Sequence, residues 1–340
     1  MRILVIGAGS IGGTVAGEII RAGGDVSLVT GRPQNTGAIN RHGIHLETPE
    51  RTFHVDARAF DRASQLADER FDVILLATKA DAVVETAREA APLLADDGFI
   101  ATLQNGIVGG DVADAIGPQR VVAISVGFAA TMHGPGKYER TSGGKLHIGE
   151  LDGPATARVR RLAKWLEAVT EVEVEDNMAG ALWAKLAINS GITSIGALTG
   201  LTLGASLRHK SVRDAFMAIY SETIDTAVAL GVTPEKIAAD PWLLYLPPTA
   251  GLPTRLYKHL IARVVGARYR NLKSSSLQSL ERGRKTEMPH INGRVVKAAH
   301  SVGRKAPANQ AVCDMVEELE CGQRGFGLEN VDELLRRLAA

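Results

Sequence analysis

Seven residues near the start, Gly7-Ala8-Gly9-Ser10-Ile11-Gly12-Gly13, constrain this 340-residue chain more than any other feature. ILVIG (3–7) leads into them as a short apolar strand with a β-branched bias. TVAGEIIRAGG follows as a helix ending in a glycine pair suited to a C-cap, and DVSLVT (25–30) supplies a second strand. A strand, a G-x-G-x-x-G turn, a helix and a strand in this order open a dinucleotide-binding fold. Gly7 permits the tight turn, Gly9 lets backbone approach a pyrophosphate, and Gly12 lets the helix pack close to the strand. The helix N-terminus adds free N–H groups and a positive dipole end. Gly7, Ala8, Gly9, Ser10, Ile11 and Gly12 are therefore candidates for holding the cofactor. The apolar start is too short for an export signal, and Glu18 and Arg21 follow it with no export-type cleavage site.

The end of the second strand selects the cofactor. NAD sites place Asp or Glu there for the ribose 2′-hydroxyl. Here the residues are Thr30, Gly31 and Arg32, and a guanidinium suits a 2′-phosphate. This favours NADP (NADPH) over NAD, against the plainer reading of Arg32 as a solvated loop residue.

FDVILLAT (71–78) and GFIATLQNG (98–106) continue the βα pattern and end in Lys79 and Asn105. Ligands of open α/β sheets sit at the carboxyl ends of strands, so both side chains are cofactor candidates; Asn105-Gly106 also reads as a plain turn. GIHLETPERTFHV (43–55) predicts a hairpin, and further strands follow over 127–150. A helix near 155–168 and the strand EVEVE close an N-terminal domain over 1–175, with a second domain over 176–340.

The second domain reads as helical, with amphipathic segments at 212–230, 289–302 and 308–320. Between Asp176 and Arg208 there is one charged side chain, Lys185. Asn189 and Thr193 lie four and eight residues on, near it on one drifting helix face. Two readings stand: an active-site lysine with a shifted pKa, or a lysine snorkelling to solvent. The length of the apolar run raises a membrane question, but its Asn, Ser, Thr and Gly residues favour a buried helix instead. PWLLYLPPTAGLPT (241–254) is a Pro-rich loop, and from Pro241 to Leu280 there are six Lys and Arg residues and no acid. That segment reads as a solvated basic face or as a draw for an anionic ligand. Ser275 lies in SSSLQ, and Glu287 precedes Pro289 and a new helix, as a helix-start charge or a group projecting into a cleft.

Composition removes several function classes. A net charge of +1 provides no global field for nucleic acid, and 4% aromatics argue against base-stacking surfaces. Cys313 and Cys321 fit neither a zinc pattern nor a disulfide framework, and nine scattered histidines suggest no metal site. Free thiols point to the cytoplasm.

Nearly end to end, the chain resembles the ketopantoate reductase (2-dehydropantoate 2-reductase) family. The resemblance is carried by GAGSIGG (7–13), TKA (78–80), QNG (104–106), WAKLAIN (183–189), SSSLQ (274–278) and GRKTEMPHINGRVV (283–296). It implies an α/β fold with an N-terminal Rossmann-type dinucleotide-binding domain followed by an all-helical C-terminal domain. The implied reaction is NADPH-dependent reduction of 2-dehydropantoate to pantoate in pantothenate biosynthesis, or of a related 2-oxo acid with a more apolar tail. The resemblance implies that Lys185 is the proton donor. Lys79, Asn105, Ala130 and Glu287 would contact the cofactor. Asn105, Lys185, Asn189 and Ser275 would meet the substrate, with Thr193 in a substrate position where the family has Asn. Leu203 replaces a second expected Asn, which places ketopantoate itself in question.

The roles make chemical sense. Reduction of a 2-oxo carbon leaves an alkoxide that needs a proton, and Glu287 would keep Lys185 protonated or hold a substrate hydroxyl. The expected partner is a small 2-oxo acid, without nucleic acid or membrane, and a homodimer through the helical domain is one assembly open to the chain. Two rival readings remain: another hydroxy-acid or opine-type dehydrogenase of similar architecture, and a non-catalytic NADP-binding sensor, which has no need of Lys185 and Glu287 together.

Overall fold

The computed structural model describes residues 1–237 and 239–339. Contacts divide the chain into two units, Met1–Met178 and Ala179–Ala340, three residues past the boundary expected from the sequence.

The first unit is built on twelve strands: β1 (Arg2–Ile6), β2 (Asp25–Val29), β3 (Ile44–Glu47), β4 (Thr52–Val55), β5 (Arg58–Phe60), β6 (Phe71–Leu76), β7 (Leu94–Thr102), β8 (Val121–Val126), β9 (Ala130–Gly134), β10 (Lys137–Arg140), β11 (Leu146–Glu150) and β12 (Val172–Val174). Its helices are α1 (Ser10–Arg21), α2 (Pro33–His42), α3 (Val83–Ala90), α4 (Gly109–Ile116) and α5 (Ala157–Leu166). Eight strands form one sheet in the order β12-β11-β8-β7-β6-β1-β2-β5. From β5 to β8 all neighbours run parallel, and β11 joins antiparallel to β8. The strand order reverses beside β1, which is where an open α/β sheet makes its ligand crevice. In β1 four successive residues, Ile3 to Ile6, are buried on both faces, as a central parallel strand requires. The hairpin expected over 43–55 is β3–β4, and it joins β10 and β9 in a second, four-stranded sheet.

The second unit is helical: α6 (Met178–Thr199), α7 (Leu203–Ser206), α8 (Lys210–Ala229), α9 (Leu252–Arg268), α10 (Ser275–Glu281), α11 (Asn292–Ser301), α12 (Pro307–Glu320) and α13 (Glu329–Ala339). The helix expected from residue 289 starts later because Pro289 sits in a separate 3₁₀ turn, Met288–His290. No helix among the described residues is long and apolar enough to cross a membrane.

α6 can be buried despite its hydroxyl groups because those groups bond to its own backbone. Ser190 donates to Ala187 O at 3.0 Å, Thr193 to Asn189 O at 2.7 Å and Thr199 to Ile195 O at 2.7 Å. A polar chain ties α6 to its neighbours. Glu222 of α8 accepts from Asn309 Nδ2 at 2.6 Å, while Asn292 Nδ2 donates to both Asn309 Oδ1 and Ser194 Oγ at 2.9 Å. The basic segment past residue 241 forms α9, which carries an apolar stripe: Leu252, Leu256, Leu260 and Val264 recur every four residues and are 60–69% exposed.

Candidate active site

Two groups of residues bear the chemistry, one in each unit. In the first, Gly7, with φ at 105°, turns the chain after β1. A side chain on Gly12 would put its Cβ 2.0 Å from Gly7 O, so helix and turn meet at a distance only glycine allows. Gly9 differs. Its backbone is extended at φ −78°, ψ −165°, and a Cβ there would meet nothing within 4 Å. Neither strain nor protein packing asks for glycine at this position; the open space beside α1's first N–H groups has the form that suits a phosphate.

A cleft of about 870 Å³ opens at the carboxyl ends of β1, β2, β5 and β6, lined by Gly7, Gly31, Asp61, Arg62, Thr78 and Leu93 among others. Two buried oxygens among its lining residues, Thr78 Oγ1 and Asp61 Oδ1, have no protein partner. The empty cradle at Gly9 and these acceptors suit a dinucleotide, whose ribose and phosphate groups would supply partners. Gly12→Ala should therefore lower the melting temperature, whereas Gly9→Ala should melt as wild type yet bind NAD(P)H at least ~10-fold more weakly. Thermal circular dichroism with a fluorescence titration checks both, and wild-type affinity in Gly9→Ala would refute the cradle.

Of the other expected cofactor residues, Lys79 is exposed just past β6, directly before a 3₁₀ turn, and Asn105 is exposed just past β7. Gln104 links these two strand ends: its Nε2 donates to Leu76 O at 3.1 Å and to Thr78 O at 3.0 Å. Arg32 is exposed and precedes α2, next in the chain to the lining residue Gly31. Ala130 opens β9 in the second sheet, half-buried.

In the helical unit, Lys185 lies on α6 among buried Leu182, Trp183, Ala184 and Leu186. Burial pulls its pKa down to about 8, and the carboxylate of Glu287 pulls back upward. Glu287 itself is exposed, at the start of the 3₁₀ turn. Asn189 is half-buried one turn on from Lys185. Gly196 continues the same face, and a Cβ there would lie 2.2 Å from Ser274 Oγ, so the start of α10 packs directly on α6. Ser274 caps α10, accepting from Leu277 N at 3.2 Å, and Ser275 is the exposed first residue of that helix. Gly196 lies eleven residues beyond Lys185 on α6, about three helical turns along the axis.

Two sequence readings change here. Thr193 is buried, and its hydroxyl hydrogen is committed to Asn189 O, so toward a ligand it can only accept. Leu203 is 4% exposed in the helical core, its N–H bonded to Leu272 O at 2.9 Å. It packs as a member of the helical core.

The sequence model of the ketopantoate reductase PanE/ApbA family matches residues 3–153, and that of the family's C-terminal part matches residues 177–320. The chain belongs to the ketopantoate reductase family. It is 28% identical to the 2-dehydropantoate 2-reductase of Mesorhizobium japonicum, over 94% of this chain and 98% of that protein. The crystal structure of a PanE/ApbA family ketopantoate reductase from Ralstonia eutropha superposes with a TM-score of 0.79 at 29% identity, covering 96% of this chain and 100% of that one. D-mandelate dehydrogenase, solved with NADH and anilino(oxo)acetate, shares the fold with a TM-score of 0.79 at 17% identity, over 95% and 99% of the two chains. Family membership makes this chain an NAD(P)-dependent oxidoreductase acting on a CH–OH/C=O pair.

Sequence reasoning missed two residues that hold the family's glycine turn. Asn35 Nδ2 donates to Ala8 O at 3.2 Å, and Tyr138 OH donates to the same oxygen at 3.0 Å. The Tyr138 ring lies against α1, where a Cβ on Gly13 would be 2.2 Å from it. Neither position carries a local signal, since Tyr138 is 130 residues from Ala8. His147, Glu173 and Glu175 bring ligand atoms within 4.8 Å of one another. Lys145 already balances that acidic edge, 2.7 Å from Glu171 and 2.6 Å from Glu173, and an acidic cluster alone does not make a metal site.

Proposed function

We propose that this protein reduces a 2-oxo acid to the 2-hydroxy acid with NADPH, as a 2-dehydropantoate 2-reductase or as a reductase of a related 2-oxo acid with a more apolar tail. The observation that carries the reading is Lys185: an ammonium on an apolar helix, with its pKa lowered to about 8 and a carboxylate within electrostatic reach. The nicotinamide, when bound, would supply the hydride. Lys185 donates a proton to the oxygen of the reduced carbon and stabilises its developing charge. Asn189 and Ser275 orient the substrate through neutral hydrogen bonds, and Glu287 keeps Lys185 in its charged form. Gly7 to Gly12 hold the pyrophosphate, Lys79, Asn105, Ala130 and Glu287 contact the cofactor, and Asn105 also meets the substrate.

Arg32, placed beside the cleft without an acid on its own strand end, supports the choice of NADPH. NADPH should exceed NADH in kcat/KM, and Arg32→Ala should erode that preference. The same assay, run across 2-oxo acids, tests the tail. Thr193 cannot donate to a substrate hydroxyl as an amide would, so branched apolar tails should outperform ketopantoate. Equal use of both cofactors, unchanged in Arg32→Ala, overturns the NADPH assignment, and ketopantoate better by tenfold or more overturns the apolar tail.

The homodimer belongs to the same proposal. The α9 stripe is the face it would use, because an exposed apolar row of this length marks an interaction surface. A cytoplasmic location accords with free Cys313 and Cys321.

A further inference from the structure

The second strand ends without an acid, yet the fold brings one to that place from another strand. β5 pairs parallel to β2 at the edge of the large sheet. The pairing continues past both strands: Thr30 N donates to Phe60 O at 2.9 Å and Gly31 N to Asp61 O at 3.1 Å. Asp61 therefore lies directly beside Gly31, the position from which a dinucleotide fold reads the adenosine ribose. Its backbone is fixed, because Gln65 Oε1 accepts from Asp61 N at 2.8 Å and from Arg62 N at 3.0 Å. Its side chain is not fixed in the same way: Asp61 lines the cleft, and its Oδ1 is buried without a donor. A buried carboxylate oxygen with no partner is costly unless a ligand donates to it.

We infer that Asp61 is a cofactor-specificity residue, whose carboxylate accepts a hydrogen bond from the adenosine ribose 2′-hydroxyl of NADH and repels the 2′-phosphate of NADPH. This rests on the dinucleotide reading of the cleft. Arg32 and Asp61 then act in opposition on one position of the cofactor. Arg32 attracts a phosphate there and Asp61 rewards a hydroxyl, so the preference for NADPH is smaller than Arg32 alone would set.

The test is the dissociation constant and kcat/KM for NADH and NADPH in wild type, Asp61→Asn and Asp61→Ala. Competition by 5′-AMP and by 2′-phospho-AMP serves as a readout independent of turnover. Oδ1 has no partner in the protein, so Asn removes no contact that the fold needs, and Ala checks the same direction with a different side chain. The expected result is at least a tenfold gain in NADPH-over-NADH selectivity in both variants, mainly from weaker NADH and 5′-AMP binding. Equal losses for both cofactors would place Asp61 on the adenine or another shared part of the nucleotide and overturn the inference. No change for either cofactor would overturn it as well. A wild-type protein that binds neither cofactor would instead overturn the dinucleotide reading beneath it.

Discussion

Lys185→Ala should lower kcat by at least ~10²-fold while NADPH binding survives. The two effects separate because the glycine turn proposed to hold the cofactor belongs to the first unit, whereas Lys185 belongs to α6 of the helical unit. Truncation removes a proton donor and a positive charge that would stabilise the developing alkoxide, and both act in the transition state. Stopped-flow turnover alongside a fluorescence titration measures the two effects together, and near-normal turnover would return Lys185 to a snorkelling role. The pH profile gives a second measurement. A donor whose pKa sits at about 8 loses its proton as pH rises through that value. kcat/KM for reduction should therefore fall on the alkaline side, by about tenfold per pH unit at high pH. The Glu287 carboxylate raises the lysine pKa, so Glu287→Gln should move this limb to lower pH. A limb unmoved by Glu287→Gln and still present in Lys185→Ala would assign the titration to another group.

Glu222→Ala should destabilise the helical unit by about 3 kcal/mol. The Glu222 carboxylate on α8 accepts from Ala308 N at 3.0 Å, Asn309 N at 2.7 Å and Asn309 Nδ2 at 2.6 Å, at the first turn of α12. Two of these donors are backbone groups that α12 cannot satisfy within itself, and a negative charge opposes the positive end of that helix. Burial pushes the Glu222 pKa upward even though all three donors favour the ionised form. Removing the carboxylate leaves Asn309, fully buried, with an amide to re-pair. Asn309 is the link to Asn292 and so to Ser194 on α6, so the loss should also loosen the helix that carries Lys185. Urea unfolding followed by circular dichroism measures the cost. Glu222→Gln, which keeps an acceptor without the charge, should recover part of it. A midpoint for Glu222→Ala equal to wild type would show that this half-buried carboxylate makes no net contribution.

The parts legible from sequence were those whose signal is local. The glycine turn, its strand and its helix lie within thirty residues, and each element's period and caps appear in consecutive positions. Lys185 stood out because an ammonium in a long apolar run is costly wherever that run folds. The α2 helix was hidden by a polar sequence with a glycine inside it, PQNTGAINRH, and by its start at a proline just past a strand. Asp61 was hidden for a different reason. No spacing rule states that residues 30–31 and 60–61 will lie side by side; that follows from which strand takes the sheet edge. Leu203 shows what an analogy of positions leaves out, since the side chain is also a member of the helical core.

Tyr138 makes the glycine motif a device in two parts. Its hydroxyl fixes the Ala8 carbonyl, and its ring occupies the space left by Gly13, yet it belongs to the small sheet rather than to the strand–turn–helix unit. The motif is therefore not portable on its own. A GAGSIGG segment grafted onto another α/β scaffold would carry the shape of the turn without the brace that sets it. Conversely, an insertion in the hairpins of the small sheet, far away in sequence, would be felt at the phosphate cradle.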